Sequence, residues 1–397
     1  MIIFSKALAD QATVWEALRA SEKGESPSPE MLRFSAQAKP VVMWNLTQRC
    51  NLACAHCYMD ARSEAVGELG LDEGVRLVDE LADLKIPILI LTGGEPLLSR
   101  NFYPLAFHAR EVGLATVIST NGTLITPEAA KLLAEARIRY VGVSIDAAAP
   151  ERHDSFRGVA GAYTRALQGL RNARDAGLKT GLRVTLTRDN WQDIPDLLEL
   201  ALEEEIPRFC LYHLVPTGRG AALASRDVTP EQRRSVIKFL AEAAVELKDK
   251  KIEILTTDSP MDGAYLVELL KDDPRQEEVR RLLTNAGGCS AGVKVANINP
   301  TGDVHPCHFM PQVVVGNIRE RSFRDIWIDH PSEELLALRG MRSCLKGKCG
   351  KCEYLELCAG CRQKAYYYCG DIMGEDPTCI IERKSGLSKC DISDYDT

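Results

Sequence analysis

Several things are missing from this sequence, and each absence removes a class of protein. No apolar run approaches the ~20 residues needed to span a bilayer; the best, Ile86–Thr92, is far too short. The opening residues Met1-Ile2-Ile3-Phe4-Ser5-Lys6 lack the basic-then-apolar order of a secretory signal. A basic excess is absent too. The net charge is −7, whereas nucleic-acid binders usually carry a basic patch or stripe. The expectation is a cytoplasmic protein without membrane or nucleic-acid partners, in a compartment that keeps thiols reduced. Cysteine is almost missing from the middle of the chain, where Cys210 alone stands between Cys57 and Cys289.

The remaining cysteines, of 14 in all, gather at two places. In a reducing compartment such grouping reads as metal sites rather than disulfides. Cys50, Cys54 and Cys57 follow the spacing C-x3-C-x2-C directly after the apolar run Val41-Val42-Met43-Trp44. Three thiolates on one loop can hold three irons of a cubic [4Fe–4S] cluster and leave the fourth iron open for chemistry. A zinc knuckle or three buried cysteines is the plainer alternative. The second group holds Cys289, Cys307, then Cys349-x2-Cys352-x5-Cys358-x2-Cys361, then Cys379. Its spacing suits a zinc ribbon as well as iron–sulfur clusters. This region has little aliphatic core, so bound metal is expected to hold it together. Cys210 and Cys390 read as free thiols.

Between these groups the chain has a repeating rhythm. Short apolar runs at 41–47, 87–92, 115–120, 140–146, 179–187 and 208–215 alternate with helical patterns such as Leu71–Leu84. Continuously apolar strands separated by amphipathic helices indicate an α/β fold around a parallel sheet. Six such units fit a partial (β/α)6 TIM barrel or an open doubly wound sheet. The polar residues favour the barrel, because they fall at the C-terminal strand ends, which share one face there. The expected organisation is a leader over 1–39, broken at Ser26-Pro27-Ser28-Pro29, and a barrel over 40–225. A helical bridge follows over 226–286, with Thr229 as N-cap, Pro230 at the first helical position and a brief strand at Ile252–Leu255. A cysteine-rich module over 287–380 and a polar tail over 381–397 complete the chain.

Gly93-Gly94-Glu95-Pro96, Ser119-Thr120-Asn121-Gly122 and Ser144-Ile145-Asp146 end three of these strands. Taken singly each reads as an ordinary turn or helix cap. Together with the cysteine loop on one face they point to a bound ligand. His213 and the stretch Thr217-Gly218-Arg219-Gly220 reach the same face.

With these pieces placed, residues 40–380 resemble a radical S-adenosylmethionine (SAM) enzyme carrying a SPASM auxiliary-cluster domain. The radical-site motif matches Cys50, Cys54 and Cys57, with His56 where an aromatic residue is usual; the last SPASM pair, Cys358 and Cys361, is spaced x2 instead of x3. The resemblance implies a [4Fe–4S] cluster on Cys50, Cys54 and Cys57, and one or two auxiliary [4Fe–4S] clusters. It also implies SAM held by Gly93, Gly94 and Glu95, by Ser119, Asn121, Ser144 and Asp146 on the ribose side, and by Arg157 at its carboxylate. Electron transfer into SAM would then yield a 5′-deoxyadenosyl radical. One complete auxiliary site would use Cys349, Cys352, Cys358 and Cys379; a second would use Cys289, Cys307 and Cys361, its open position filled by substrate or by Cys344.

Trp44-Asn45-Leu46-Thr47, Tyr212-His213-Leu214, Asn317-Ile318-Arg319-Glu320-Arg321 and Cys358-Ala359-Gly360-Cys361-Arg362 are similar to the tetrapyrrole-modifying branch. Cys344, Cys369 and Ala147 depart from its pattern. That branch implies oxidative decarboxylation of the propionates of iron-coproporphyrin III to haem b, or a related step toward haem d1. It also implies a low-potential donor such as ferredoxin or flavodoxin, and His213 and Arg219 as substrate contacts. A maturase of a ribosomally made peptide is the rival enzyme; an iron–sulfur electron-transfer or assembly protein is the rival of another class.

Overall fold

The computed structural model describes residues 1–9, 39–62, 64 and 66–381. Its centre is a run of parallel strands: β2 (Val41–Asn45), β3 (Leu89–Thr92), β4 (Thr116–Thr120), β5 (Val141–Ser144), β6 (Thr180–Leu186) and β7 (Arg208–His213). Each lies within one of the six apolar runs and pairs with its sequence neighbour, helices covering the outer face. Val42, Trp44, Leu89, Leu91, Ile118, Val141 and Val143 are all buried, as expected of strands covered on both faces. The helix Leu71–Asp83 buries Leu77, Val78 and Leu81; a β-carbon on its Gly74 would stand 2.9 Å from the Trp44 ring, so helix and strand pack very closely.

The sheet runs further than the six units. The segment expected to bridge two modules contains β8 (Glu253–Thr257), which adds to β7 in parallel after the helix Pro230–Glu246. That helix has the expected cap, with Thr229 Oγ1 accepting from Gln232 N at 3.2 Å. The first residues are not part of a free leader either. Β1 (Ile2–Ile3) pairs antiparallel with β8, and Phe4 and Leu8 of the helix Phe4–Ala9 enter the core. The break expected at Ser26–Pro29 and the tail beyond Ile381 lie outside the described residues.

At the other edge, β9 (Val295–Ile298) pairs in parallel with β2. β10 (Asp303–His305) and β11 (Gly316–Asn317) follow by antiparallel pairing. The cysteine-rich module therefore continues the barrel sheet, giving eleven strands in the order β1-β8-β7-β6-β5-β4-β3-β2-β9-β10-β11. β8 does not pair with β2, so the barrel stays open.

A buried charge cluster fixes the far side of the module. Asp227 Oδ2 accepts from Arg233 Nη2 at 2.8 Å and from Lys364 Nζ at 3.0 Å. Lys364 belongs to the helix Arg362–Cys369, whose Gln363 also donates to Pro216 O at 3.2 Å. Two buried cations on one carboxylate hold together only while that carboxylate is present.

Candidate active site

Residues from each parallel strand or its C-terminal end line one cavity: Met43, Thr92, Ser119, Ser144, Arg183, Tyr212 and, after β8, Asp258. The cysteine loop forms one wall. Neighbouring backbone grips it from several directions. Ala53 N and Ala55 N donate to Arg157 O and Phe156 O, both at 3.0 Å, and Cys50 N donates to Arg62 O at 2.9 Å. Arg219 N donates to Cys57 O at 2.9 Å, while Arg219 Nε and Nη1 reach Cys54 O at 3.0 Å and Ala61 O at 2.7 Å. Gly218, at φ +54, lets this approach happen: a β-carbon there would stand 2.5 Å from Tyr58 O. Arg219 thus braces the cysteine loop while lining the same cavity.

The sulfurs meet donors as iron-bound thiolates require. Leu52 N donates to Cys50 Sγ at 3.4 Å, Ala61 N to Cys57 Sγ at 3.3 Å, and Arg157 Nη1 to Cys54 Sγ at 3.6 Å. Burial pushes the Cys50 thiol up to about 11 and raises Cys54, against which Arg157 acts. Such thiols ionise at neutral pH when bound metal takes the place of their protons. Among the described residues no three Cys, His, Asp or Glu side chains converge on a single ion. Three cysteine sulfurs on one loop, each facing an N–H donor, are the donor chemistry that an iron–sulfur cluster takes.

Glu95 and Asp146 are not where a ligand could use them freely. Glu95 is fully buried and accepts from Thr120 Oγ1 at 2.8 and 2.9 Å, Asn121 N at 2.9 Å and Leu97 N at 3.2 Å. Burial outweighs these bonds and raises its carboxyl to about 7. It ties β3 to β4 behind the cavity. Gly94 N and Glu95 N in turn donate to Thr47 O and Arg49 O at 2.8 Å each, and a β-carbon on Gly94 would collide with Arg49 O. Asp146 is also buried; its Oδ2 takes Arg157 Nε at 2.6 Å, and its Oδ1 takes Thr185 N at 2.8 Å. Both carboxylates act as internal struts that tie neighbouring strands and the Arg157 guanidinium together. Gly93, Gly94, Ser119, Asn121, Ser144 and Arg157 do line the cavity. Asn121 is partly committed, donating to Asn51 Oδ1 at 2.8 Å.

His56 fills its aromatic position by stacking on Phe156, with centroids 4.4 Å apart and planes 7° from parallel. Burial and the nearby Arg157 lower its pKa to about 3, so the ring is neutral and behaves as an aromatic plate. His213 lines the cavity with Nε2 2.7 Å from Asp262 Oδ2 and Nδ1 without a partner. Burial lowers its pKa as well. The charged or ionisable cavity residues Arg183, Asp258 and His308 were among those that escaped the sequence reading. Arg183 alone carried a signal, a charged residue inside an otherwise apolar parallel strand.

Cys307 feels the charge of Cys289 and Cys361, and Cys361 that of Cys289. Cys358 feels Cys379 and Cys349, and Cys352 N donates to Cys349 O at 3.3 Å. Asp376 joins the two sets, with its N–H on Cys349 Sγ at 3.3 Å and its Oδ2 on Cys361 N at 2.8 Å. Cys344 is exposed, with Ser343 Oγ beside its sulfur at 3.7 Å. Cys369 is disulfide-bonded, which corrects the view that no cysteine here is so engaged. Cys210 is a buried free thiol, and Cys390 lies outside the described residues.

An open α/β barrel whose strand ends surround a three-cysteine loop, extended by a second cysteine-rich module, defines an iron–sulfur enzyme of the barrel class. The chain belongs to the radical SAM superfamily. Residues 44–201 match that superfamily's model, and residues 289–362 match the SPASM iron–sulfur cluster-binding domain. The chain is 40% identical over 395 residues to an Fe-coproporphyrin III synthase from Methanosarcina barkeri, covering 97% of this chain and 98% of that protein. An AdoMet-dependent heme synthase from the same organism is 37% identical over 350 residues, 86% of this chain and 97% of its own length. The fold is similar to Streptococcus suis SuiB bound to S-adenosylmethionine, with TM-score 0.68 at 19% identity over 86% of this chain and 77% of SuiB. The protein is therefore an enzyme whose cofactors are iron–sulfur clusters and SAM. No helix among the described residues is long and apolar enough to cross a membrane.

Proposed function

We propose that this enzyme modifies the carboxylate-bearing side chains of a tetrapyrrole, most directly the propionates of iron-coproporphyrin III. The observation that carries the reading is a single cavity walled by the Cys50–Cys57 loop on one side and by His308 and Phe309, next to Cys307, on the other. A substrate between two cysteine sites is placed for hydrogen abstraction at one and electron removal at the other. Propionate loss as CO2 with vinyl formation needs both steps. Long similarity to relatives named for iron-coproporphyrin III and heme supports the substrate class.

Cys50, Cys54 and Cys57 would hold the radical-site cluster, with Gly93, Gly94, Ser119, Ser144 and Arg157 around SAM. When bound, cluster and SAM together supply a 5′-deoxyadenosyl radical that takes hydrogen from a substrate C–H bond. The chain's own residues orient these groups and exclude water, so that a reactive carbon radical meets only one C–H bond. Arg157, held by Asp146 at Nε and by Cys54 Sγ at Nη1, lines the cavity and would supply positive charge beside the carboxylate of SAM. Cys349, Cys352, Cys358 and Cys379 would form a complete auxiliary site, and Cys289, Cys307 and Cys361 a second of three protein ligands. A low-potential donor such as ferredoxin or flavodoxin supplies electrons.

The test is anaerobic incubation of the reconstituted enzyme with SAM, dithionite and iron-coproporphyrin III. Formation of 5′-deoxyadenosine with two successive losses of CO2 from the porphyrin is expected. A second reading makes iron-coproporphyrin III the product, favoured by the near-complete mutual coverage with the Fe-coproporphyrin III synthase. Bound but unconsumed iron-coproporphyrin III would select it. Failure to bind any tetrapyrrole ends both readings.

A further inference from the structure

The barrel bore holds one cation that the arrangement around SAM does not use. The interior arginines Arg157, Arg208 and Arg233 pair with Asp146, Glu253 and Asp227. Arg183, in β6, has no such carboxylate among the described residues. Its Nη1 donates to Ser119 Oγ, and its Nε is cut off from water without a hydrogen-bond partner. The guanidinium carbon lies 5.6 Å from the ring centroids of both Tyr140 and Tyr212, an arrangement that holds a cation but does not neutralise it. Asp258 lines the same cavity, but its Oδ1 is bonded to Thr257 Oγ1 at 3.2 Å and its Oδ2 has no partner.

The surrounding sequence makes room for this side chain. A β-carbon on Gly142, in β5, would collide with Arg183 Nε, and one on Gly181, in β6, would collide with the Tyr140 hydroxyl. Glycine inside a strand weakens it and marks close approach by another group. Two such glycines on neighbouring strands leave a slot for one arginine and one tyrosine. A cation lodged there without a directly bonded carboxylate costs stability that an incoming anion would restore.

We propose that Arg183 is the receptor for a side-chain carboxylate of the tetrapyrrole substrate, held between Tyr140 and Tyr212 at the inner end of the cavity. This rests on the tetrapyrrole reading above and adds the residue that recognises the side chain. A guanidinium matches a carboxylate because its planar fork offers two parallel N–H donors, which an ammonium does not. Arg157 is bound to Asp146 and to Cys54 Sγ, next to the cysteine loop. The two arginines thus separate two carboxylates: Arg157 for SAM, Arg183 for the substrate.

The test titrates the anaerobically reconstituted full chain, by its absorption spectrum, with iron-coproporphyrin III and with the corresponding tetraamide; SAM affinity is measured separately. The unsubstituted enzyme should prefer the acid. Arg183→Met should weaken binding of the acid about 30-fold or more, and leave the tetraamide and SAM unaffected. Arg183→Lys, which keeps the charge, should recover part of the loss. Equal binding of acid and tetraamide by the native chain overturns the proposal without needing any variant. So does a loss falling on SAM, or equally on both porphyrins. If the native enzyme binds tetrapyrrole and Arg183→Met binds it equally well, this inference alone fails. If the native enzyme binds none, the functional reading fails with it.

Discussion

Tyr58 and His308 meet edge to face, with ring centroids 5.3 Å apart and planes at 84°. Tyr58 follows Cys57 of the first cysteine group, and His308 follows Cys307 of the second. The residues one step beyond a cysteine in each group thus touch through their rings. The Tyr58 hydroxyl is fixed on Asn45 Oδ1 at 2.8 Å, and Asn45 reaches Asn297 of β9 at 3.4 Å. The same few residues that join barrel to module also close the cavity between the two sulfur sets.

His308 Nδ1 stands 3.9 Å from Cys307 Sγ. A donor facing a cluster sulfur stabilises the more reduced, more negative state. His308→Leu should retain the full iron content but move the potential of the auxiliary signal to more negative values. Redox titration followed by electron paramagnetic resonance measures this; an unmoved potential means the imidazole only fills space.

His153 gives a pH signature away from any cysteine. It is buried, and its Nδ1 accepts from Asp146 N at 3.1 Å, which requires the neutral ring. Burial, with Arg157 adding to it, lowers its pKa to about 4. The unfolded chain binds this proton below about pH 6.5 while the folded chain resists until about 4, so stability falls as pH drops through that window. The full effect is on the order of 3 kcal/mol. Denaturant midpoints measured from pH 7 to pH 4 should decline, and His153→Gln should flatten that decline.

Removing Asp227 leaves Arg233 and Lys364 buried and unpaired. Asp227→Asn should cost about 3–5 kcal/mol, lowering the thermal midpoint. Since Lys364 belongs to the cysteine-rich module and Arg233 to a barrel helix, limited proteolysis should cut first near the module boundary. The triple variant Asp227→Leu with Arg233→Met and Lys364→Met should recover much of the loss; no recovery would assign the cost to packing instead of charge.

The partition of the second cysteine group has its own readout. Cys289→Ala and Cys307→Ala should each remove one cluster's iron and sulfide, and combining them should remove no more. Cys349→Ala should remove a different cluster, additively with Cys289→Ala. Exposed Cys344→Ser should leave iron content unchanged. A combined Cys289→Ala and Cys349→Ala variant that loses no more iron than either alone would contradict two separate sites.

The six parallel strands and the cysteine loop were legible because each is local. Apolar runs and C-x3-C-x2-C spacing are read without knowing what lies opposite. β1 escaped because two residues carry no periodicity; the short run at Ile252–Leu255 was read as a strand, but its pairing with β7 was not, because nothing local shows what lies beside it. Polar strand ends were legible, yet the partners that hold them were not. Glu95 and Asp146 look available in sequence, but Thr120 and Arg157 consume their oxygens, and those partners are 25 and 11 residues away. The Asp227–Lys364 bond spans 137 residues and leaves no trace in either neighbourhood. Arg183 was hidden for the opposite reason: it sits inside a strand, where a charged residue was not sought.

The pairing of β9 with β2 also bears on how the protein is made. Until residues 295–298 emerge from the ribosome, the strand leading into Cys50 presents an open parallel edge to the cell. Unpaired edges recruit other chains, and contacts this remote in sequence form late. Premature iron loading of the Cys50–Cys57 loop would meet a half-walled pocket, so cofactor delivery is best timed after translation has passed the last pairing strand.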